Sequence, residues 1–333
     1  MPVHAQLGLP LLLAPLLAFL VSAAGLALLL RTGWAHRLAM DLPNHRSLHD
    51  APIPRVGGIV VIPVAIGVTW GFLGLFPVLV VTTLALCAIS FVDDRWGVPI
   101  GIRLGGHLLA AAWLVSRYVP WPEGILVALV SVVAIGWLAN LYNFMDGADG
   151  LAGGMALLGF AALGAGALLK GAPSLAILAF CVSGAAAGFL VFNFPPARIF
   201  MGDGGSVPLG FLAGAIGFEG LRTGLWPAWF PLLVFSPFVV DATVTLGRRI
   251  LRRERFWEPH RDHYYQRLVR MGWSHRRVAL VEYAVMLGTA ATGLVGLGLP
   301  GPGQAAVAFA WLALFAALMA WVDRRWRRTQ SGG

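Results

Sequence analysis

Long apolar runs recur from one end of the chain to the other, and they limit what it can fold into. About twenty apolar residues cross a bilayer as a helix. Of the 333 residues, 58% are hydrophobic and only 12% are charged, whereas a soluble domain has about a quarter of its residues charged. We therefore predict an all-α polytopic membrane protein with about 10–11 transmembrane helices. The predicted spans are residues 7–30, 57–75, 77–92, 104–119, 124–142, 151–169, 173–192, 207–222, 228–247, 278–298 and 303–322.

The positive charges divide unevenly between the two alternating sets of loops that these spans define. One set holds 21 of the 24 Lys and Arg residues. Cytoplasmic loops carry the excess of Lys and Arg, so we predict that this set is cytoplasmic and that the N-terminus is outside. Basic charge that borders membrane spans also disfavours nucleic acid as a partner. We expect one integral membrane domain over residues 1–333, with a basic cytoplasmic loop at 248–277 and a basic cytoplasmic tail at 323–333.

Five aspartates lie on the predicted cytoplasmic side, at the ends of apolar runs. They are Asp93 and Asp94 in "SFVDDRWG", Asp146 and Asp149 in "NLYNFMDGADG", and Asp203 in "FMGDGG". Carboxylates that share a site repel each other and are costly near hydrocarbon, and a hard cation offsets both costs. Mg²⁺ is usually bound by one or two carboxylates together with substrate phosphates. The sequence therefore predicts a magnesium site, with solvated helix caps as the alternative.

Glycine-rich and basic segments accompany the aspartates. "DGADGLAGG" and "MGDGGS" each precede an apolar helix, whose free N–H groups favour phosphate. The first cytoplasmic loop and the last one add cationic and imidazole groups that suit an anionic substrate, although attraction to anionic lipid is an alternative. These groups are Arg46, His49 and Arg55 in "DLPNHRSLHDAPIPRVGG", and Arg255, His260, Arg261, His263 and Arg267 in the last loop. Asp241, inside an apolar run, is expected to pair with Arg248 or to belong to the site.

Together these blocks resemble those of the polyprenyl-phosphate N-acetylhexosamine-1-phosphate transferases, the membrane enzymes of glycosyltransferase family 4. The resemblance covers nearly the whole chain and includes "FVDDRWG", "NLYNFMDGADGLAGG" and "FNFPPARIFMGDGGS". It implies transfer of HexNAc-1-phosphate from a UDP-HexNAc to undecaprenyl phosphate, with UMP as the second product. It also implies Mg²⁺ as cofactor, with Mn²⁺ as a substitute, in a multi-pass protein of the bacterial inner membrane. Homodimers are common in that family.

The resemblance also implies roles for individual residues. Asp203 and Asn143 become the magnesium ligands, and Phe200 resembles an aromatic that stacks on uracil. The implied catalytic residues are Asp93, Asp94, Asp203, His260 and His263, and the implied substrate-binding residues are Arg46, His49, Asp146, Asp149, Asn193, Phe200 and Arg261.

One departure bears on the substrate. The peptidoglycan-precursor branch of the family has consecutive histidines in the last loop, whereas this chain has "HRDHYYQRL". The pattern is more similar to enzymes that start O-antigen or other surface glycans, such as those of lipopolysaccharide biosynthesis. Two other classes stay open. A transporter of nucleotide sugars or lipid-linked sugars would need polar groups deep in several helices, and a structural subunit would leave the carboxylates unexplained.

Overall fold

The apolar runs form helices, and the prediction of an all-α polytopic membrane protein is confirmed. The structure is a computed structural model, and it describes residues 8–43, 48, 51–119, 124–255 and 260–331. The helices are α1 (Gly8–Arg31), α2 (Trp34–Leu38), α3 (Gly58–Leu73), α4 (Pro77–Trp96), α5 (Ile100–Ser116), α6 (Ile125–Phe144), α7 (Leu151–Leu169), α8 (Pro173–Asn193), α9 (Asp203–Arg222), α10 (Trp229–Val234), α11 (Ser236–Leu251), α12 (Tyr264–Arg270), α13 (His275–Gly296) and α14 (Gly301–Ser331).

Each predicted span overlaps a helix, but the helices differ in their capacity to cross a bilayer. Within the described ranges, seven are long and apolar enough to do so: α1, α4, α6, α7, α8, α13 and α14. Helices α3 and α5 are shorter apolar helices. The span predicted at 228–247 is divided into α10 and α11. Pro237 lies in the first turn of α11, and because proline has no N–H it cannot continue the hydrogen-bond ladder of α10.

Helix α9 is the centre of the bundle and brings the functional segments together. It packs against α4 and α6 and also contacts α3, α5 and α7, and nearly all its residues are buried. Small residues make this possible, because a Cβ atom on Gly210 would lie 2.3 Å from the carbonyl oxygen of Leu138 in α6. Since α4 and α6 end where α9 begins, Asp93, Asp94 and Asn143 are placed at the N-terminus of α9.

A second close approach joins the N-terminus of α3 to that of α9. A Cβ atom on Gly58 would lie only 2.1 Å from the backbone nitrogen of Gly205, so the two backbones are in direct contact. Just before α9, Gly202 has a φ of +73°, a left-handed conformation that glycine adopts without strain. The glycine pairs seen in the sequence therefore fix where two loops enter their helices.

A small sheet closes the first loop. Strand β1 (Met40–Asp41) pairs antiparallel with β2 (Ile53–Pro54). Directly after β2, an isolated parallel bridge joins Arg55 to Phe200, and the N–H of Phe200 donates to the Pro54 carbonyl oxygen (2.7 Å). No strand was predicted in this loop. It attaches the first loop to the segment that leads into Asp203.

The predicted basic tail is a continuation of α14 rather than a separate segment, since that helix extends to Ser331. At the start of the tail, Asp323 accepts hydrogen bonds from Arg248 (2.8 Å) and Arg267 (3.0 Å). These two arginines belong to α11 and α12. The tail therefore supports the predicted substrate loop at 248–277.

Candidate active site

Asp94 is the most enclosed carboxylate of the candidate site. Its side chain is 1% exposed, and its Oδ2 atom accepts a hydrogen bond from the backbone N–H of Gly204 (2.9 Å). Its Oδ1 atom is buried and accepts no hydrogen bond within the described part of the chain, although Arg55 Nε lies 3.6 Å away. The Arg55 guanidinium instead donates to the backbone carbonyl of Asp94. One carboxylate oxygen thus keeps a lone pair available in a buried position.

Arg103 bridges two of the predicted site aspartates. Its Nη1 atom donates to Asp93 Oδ2 at short range and lies 3.3 Å from Asp203 Oδ2. Asp93 also accepts from the N–H of Val98 through Oδ1 (2.6 Å). Arg103 was not among the residues predicted to form the site. Its sequence position could have predicted this contact. Arg103 lies in the first turn of α5, ten residues after Asp93, so both residues are at the same end of the bundle.

The loop that carries Asp146 joins this cluster. Asp146 accepts a hydrogen bond from the backbone of Gly202, and desolvation by the surrounding protein raises its pKa well above the usual range. The nearby charges of Asp203, Asp94 and Asp41 raise this pKa further. Acidic side chains are therefore concentrated here, and their principal cationic neighbours in the described chain are Arg55 and Arg103.

The predicted magnesium ligands, Asp203 and Asn143, are adjacent. Asn143 donates through Nδ2 to Ser206 Oγ (3.1 Å) and is hydrogen-bonded to Asp203, and since a carboxylate only accepts, neither contact uses the Oδ1 atom of Asn143. The Asp203 side chain is 26% exposed, so it is accessible from solution. Both ligands supply oxygen, as a hard cation requires.

Whether these groups fit a metal ion depends on the metal. In the described residues, no group of three or more His, Cys, Asp or Glu side chains is arranged to hold a metal ion by itself. Mg²⁺ does not need such a cage, because it retains waters and is completed by substrate phosphates. The free Oδ1 atom of Asp94, together with the oxygens of Asp203 and Asn143, fits that donor set. The roles predicted for these residues stay predictions.

Asp149 and Asn193 connect loops of the site. Asp149 accepts from the N–H of Ala197 (3.0 Å), and His275 Nδ1 lies 3.2 Å from its Oδ1 atom. Asn193 is buried and bonds the N–H of Gly150 and the carbonyl oxygen of Ile199, both at 2.9 Å. These contacts hold the 146–150 loop against the segment before Asp203. The predicted contacts of Asp149 and Asn193 with substrate stay predictions.

Phe200 is fixed by its backbone on both sides. Its N–H donates to Pro54, and its carbonyl oxygen accepts from the N–H of Gly57 (2.9 Å). The ring is partly buried, three residues before Asp203. This places the predicted stacking residue at the edge of the acidic cluster, while its stacking role stays a prediction.

The last loop brings two histidines together and leaves Arg261 exposed. The ring centroids of His260 and His263 are 4.9 Å apart. Burial, then His263 and Arg249, lower the pKa of His260 to about 4. His260 is therefore neutral at pH 7 and would bind an anion through hydrogen bonds rather than charge. Two further predicted substrate residues, Arg46 and His49, lie outside the described residues.

The pKa of His260 predicts how stability depends on pH. An unfolded histidine binds a proton below about pH 6.5, whereas folded His260 does so only near pH 4. The unfolded state therefore holds the additional proton between these values, and His260 makes the protein less stable as pH falls from about 6.5 to 4. Thermal unfolding in detergent should show a smaller loss of stability over this range for His260→Gln than for wild type. Equal losses would contradict the assignment.

Asp241 does not pair with Arg248, and that part of the prediction was wrong. Arg248 reaches Asp323 instead. Asp241 is buried, lies 3.1 Å from His263 Nδ1 through Oδ1, and accepts from the backbone N–H of Tyr264 and Tyr265 and from Thr245. The partner was misjudged because the Arg248 position is close along the helix, whereas α12 approaches from a separate segment of the chain.

Comparison with known proteins assigns the family. The model of "Glycosyl transferase family 4" matches residues 76–220. The "Probable undecaprenyl-phosphate N-acetylglucosaminyl 1-phosphate transferase" of Bacillus subtilis (strain 168) is 30% identical over 268 residues, which cover 74% of each chain. The "Decaprenyl-phosphate N-acetylglucosaminephosphotransferase" of Mycolicibacterium smegmatis (strain ATCC 700084 / mc(2)155) is 32% identical, covering 83% of this chain and 80% of that protein. The "Phospho-N-acetylmuramoyl-pentapeptide-transferase" of Acaryochloris marina (strain MBIC 11017) is 30% identical over 81% of each chain.

These relatives cover most of the chain, and the residues that the family model matches include Asp94, Asp146 and Asp203. The relatives are named as enzymes, which leaves the transporter and structural alternatives without support. The chain therefore belongs to glycosyl transferase family 4 and is a bacterial membrane enzyme that transfers a sugar-1-phosphate to a polyprenyl phosphate.

Proposed function

We propose that this enzyme transfers HexNAc-1-phosphate from a UDP-HexNAc to undecaprenyl phosphate and releases UMP. The sugar is GlcNAc or a modified amino sugar, and the product starts an O-antigen or another cell-surface glycan. One observation carries the proposal: Asp93, Asp94 and Asp203 meet Arg55 and Arg103 at one end of an apolar helical bundle. The names of the relatives, which state transfer of N-acetylglucosamine phosphate to undecaprenyl or decaprenyl phosphate, support it.

The position of the cluster suits substrates from two phases. A polyprenyl tail stays in the bilayer because extraction costs about 0.8 kcal/mol per buried CH₂, while its phosphate remains at the surface. A sugar nucleotide arrives from the cytosol.

The excess of Lys and Arg in the loops on the same side as the site supports a cytoplasmic active site. A fluorescent protein fused after α14 should therefore fluoresce, and a periplasmic alkaline phosphatase at that position should be inactive. The reverse result would contradict this orientation.

The proposed chemistry is a single displacement at phosphorus. A phosphate oxygen of the lipid forms a bond to the β-phosphorus of the UDP-sugar, and the bond from that phosphorus to the bridging oxygen breaks. The bridging oxygen and its electron pair leave with UMP. A general base is not required, because a phosphate monoester has a second pKa of about 6 and is mostly a dianion near pH 7. We expect inversion at phosphorus, and overall retention would contradict a single displacement.

The side chains of the site have separate proposed roles in binding the metal and the substrates. Asp203 and Asn143, with Asp94 beside them, would hold Mg²⁺, which neutralises charge on the diphosphate and on the leaving group when bound. Arg55 and Arg103 are placed to attract and orient phosphate oxygens. Neutral His260 can donate a hydrogen bond without a compensating charge. Most of the rate enhancement would then come from positioning the two substrates.

The proposal is tested with purified protein in detergent, undecaprenyl phosphate, Mg²⁺ and a panel of UDP-HexNAc donors. We expect UMP and lipid-linked sugar to form in equal amounts. Absence of turnover across the whole panel would contradict the proposed donor class. The panel also addresses the sugar, because "HRDHYYQRL" lacks the consecutive histidines of the peptidoglycan-precursor branch. UDP-MurNAc-pentapeptide should accordingly be a poor donor. The homodimer expected from the resemblance stays a prediction.

Removal of divalent metal should stop the reaction without unfolding the protein. We expect EDTA to lower turnover at least about a hundredfold, because a bound metal supplies several kcal/mol of charge stabilisation, and Mg²⁺ or Mn²⁺ to restore it. The unfolding midpoint should change little, since Arg103 already balances Asp93 and Asp203. Full activity in EDTA would contradict the metal assignment.

A further inference from the structure

His263 is held by a carboxylate from another helix. Its Nδ1 atom lies 3.1 Å from Asp241 Oδ1, and both side chains are almost fully buried, with 3% and 8% exposure. The two residues are 22 positions apart and belong to separate elements, α11 and the entrance to α12. The contact is therefore a tertiary one that the folded chain must build.

The other contacts of Asp241 fix the carboxylate in place. Its Oδ1 atom accepts from the N–H of Tyr264 (3.0 Å) and from Thr245 Oγ1 (3.1 Å), and its Oδ2 atom accepts from the N–H of Tyr265 (3.2 Å). Two backbone donors of the first turn of α12 are satisfied in this way. A carboxylate bound by these fixed donors cannot rotate away from the imidazole.

The imidazole of His263 has a defined position beside the loop that carries Asp146. Its ring is stacked on Tyr265, with centroids 5.9 Å apart, and lies 6.2 Å from Phe144. The Tyr265 hydroxyl donates to the Phe144 carbonyl oxygen (3.2 Å), two residues before Asp146. His263 is therefore attached to the loop that carries part of the acidic cluster.

The contact with Asp241 determines which ring nitrogen carries the proton. With a proton on Nδ1, the imidazole donates to the carboxylate and leaves Nε2 as its second polar atom. The alternative is a bare Nδ1 that accepts from the backbone N–H of Gln266, which faces the same ring in the capping box of α12. That arrangement would place two lone pairs against each other at 3.1 Å inside the protein, where an unmade hydrogen bond costs about 1–3 kcal/mol.

We propose that Asp241 is a positioning residue that holds His263 in its Nδ1-protonated form and directs the Nε2 edge toward the sugar-phosphate donor. The inference rests on the proposed function, since the contact with the donor follows from it. Asp241 does not touch substrate and acts through His263. Removal of the partners that orient metal-ligating histidines typically costs about 10–100-fold in metal affinity or activity, and we expect an effect of the same order here.

A double-mutant cycle separates this role from a structural one. Asp241→Asn should lower kcat about 10–100-fold in the wild-type background but less than about twofold in the His263→Gln background. Asp323→Asn is the matched control, because Asp323 supports α12 through Arg267 and Tyr264 without reaching the His263 ring. Its effect should be equal in both backgrounds. An equal loss for Asp241→Asn in both backgrounds would overturn the proposal.

A spectroscopic measurement decides the question without turnover and covers variants that are too slow or unstable for the cycle. The chain has eight histidines, so the ¹⁵N signals of labelled wild type are compared with those of His263→Gln, or of His263→Asn if the first variant does not fold. The signals lost on substitution should show a protonated Nδ1. A bare Nδ1 would overturn the proposal. If wild type lacks turnover while Nδ1 is protonated, the proposed function is contradicted and the role of Asp241 in holding the His263 tautomer is supported.

Discussion

Asp203→Asn is expected to lower turnover about a thousandfold or more. The substitution keeps the shape of the side chain and removes its charge, so it takes away the predicted metal ligand and the contact with Arg103. A bound metal contributes several kcal/mol to stabilisation of the transition state, and 1.36 kcal/mol corresponds to a factor of ten. The measurement is the initial rate of UMP release with the UDP-HexNAc that wild type uses fastest.

Glu219→Gln provides the control for this variant. Glu219 belongs to the same helix but lies near its other end, where it pairs with Arg222 (2.7 Å). Its substitution should leave turnover within about twofold, since an exposed ion pair contributes about 0–1 kcal/mol. Both variants should unfold close to the wild-type temperature. If Asp203→Asn kept more than a tenth of wild-type activity, the residue would have no place in the metal site.

Gly58→Ala is expected to cause a large loss of stability for the addition of a single methyl group. The added Cβ atom would lie 2.1 Å from the backbone nitrogen of Gly205, and a backbone atom cannot move aside as a flexible side chain does. Overpacking of this kind costs about 1–3 kcal/mol and occasionally more, and we expect the upper part of that range. The unfolding midpoint in detergent should fall by several degrees, with loss of activity, because the contact aligns α3 with the start of α9.

Gly67→Ala is the matched control in the same helix. No heavy atom lies within 4 Å of a Cβ atom built on Gly67, and alanine is favoured over glycine in a helix by about 1 kcal/mol. Its midpoint should be unchanged or higher. Similar losses for both variants would mean that the effect does not come from the contact between α3 and α9, because Gly67 makes no such contact.

The sequence predicted the helices well because their apolar runs are set by the bilayer and not by details of packing. It did not predict which glycine pairs pack against a neighbour. Gly210 and Gly214, four residues apart, approach α6, whereas Gly67 and Gly71, also four residues apart, face open space. Spacing indicates that two glycines share one face of a helix, but it does not indicate what lies opposite.

In the site, too, features visible in the local sequence were predicted, whereas contacts between distant segments were not. Aspartates at the ends of apolar runs were found because charge is rare in such surroundings, and the structure brings Asp94, Asp146 and Asp203 together. Arg103 was missed because an arginine at a helix end looks like one of the many cations that border spans. The partner of Asp241 was missed because His263 is 22 positions away, and the spacing of neighbouring residues does not predict a tertiary contact.

The paired strands β1 and β2 have a consequence for how such an enzyme can diversify. Asp41 and Ile53 are register partners, so the two ends of the stretch between them are held side by side. Additions or deletions between these two points need not displace Arg55 or Phe200, whose positions are set by their own backbone bonds. The stretch between Asp41 and Ile53 can therefore differ in length among related enzymes and adapt to different substrates. The aspartates of the active site would keep their positions.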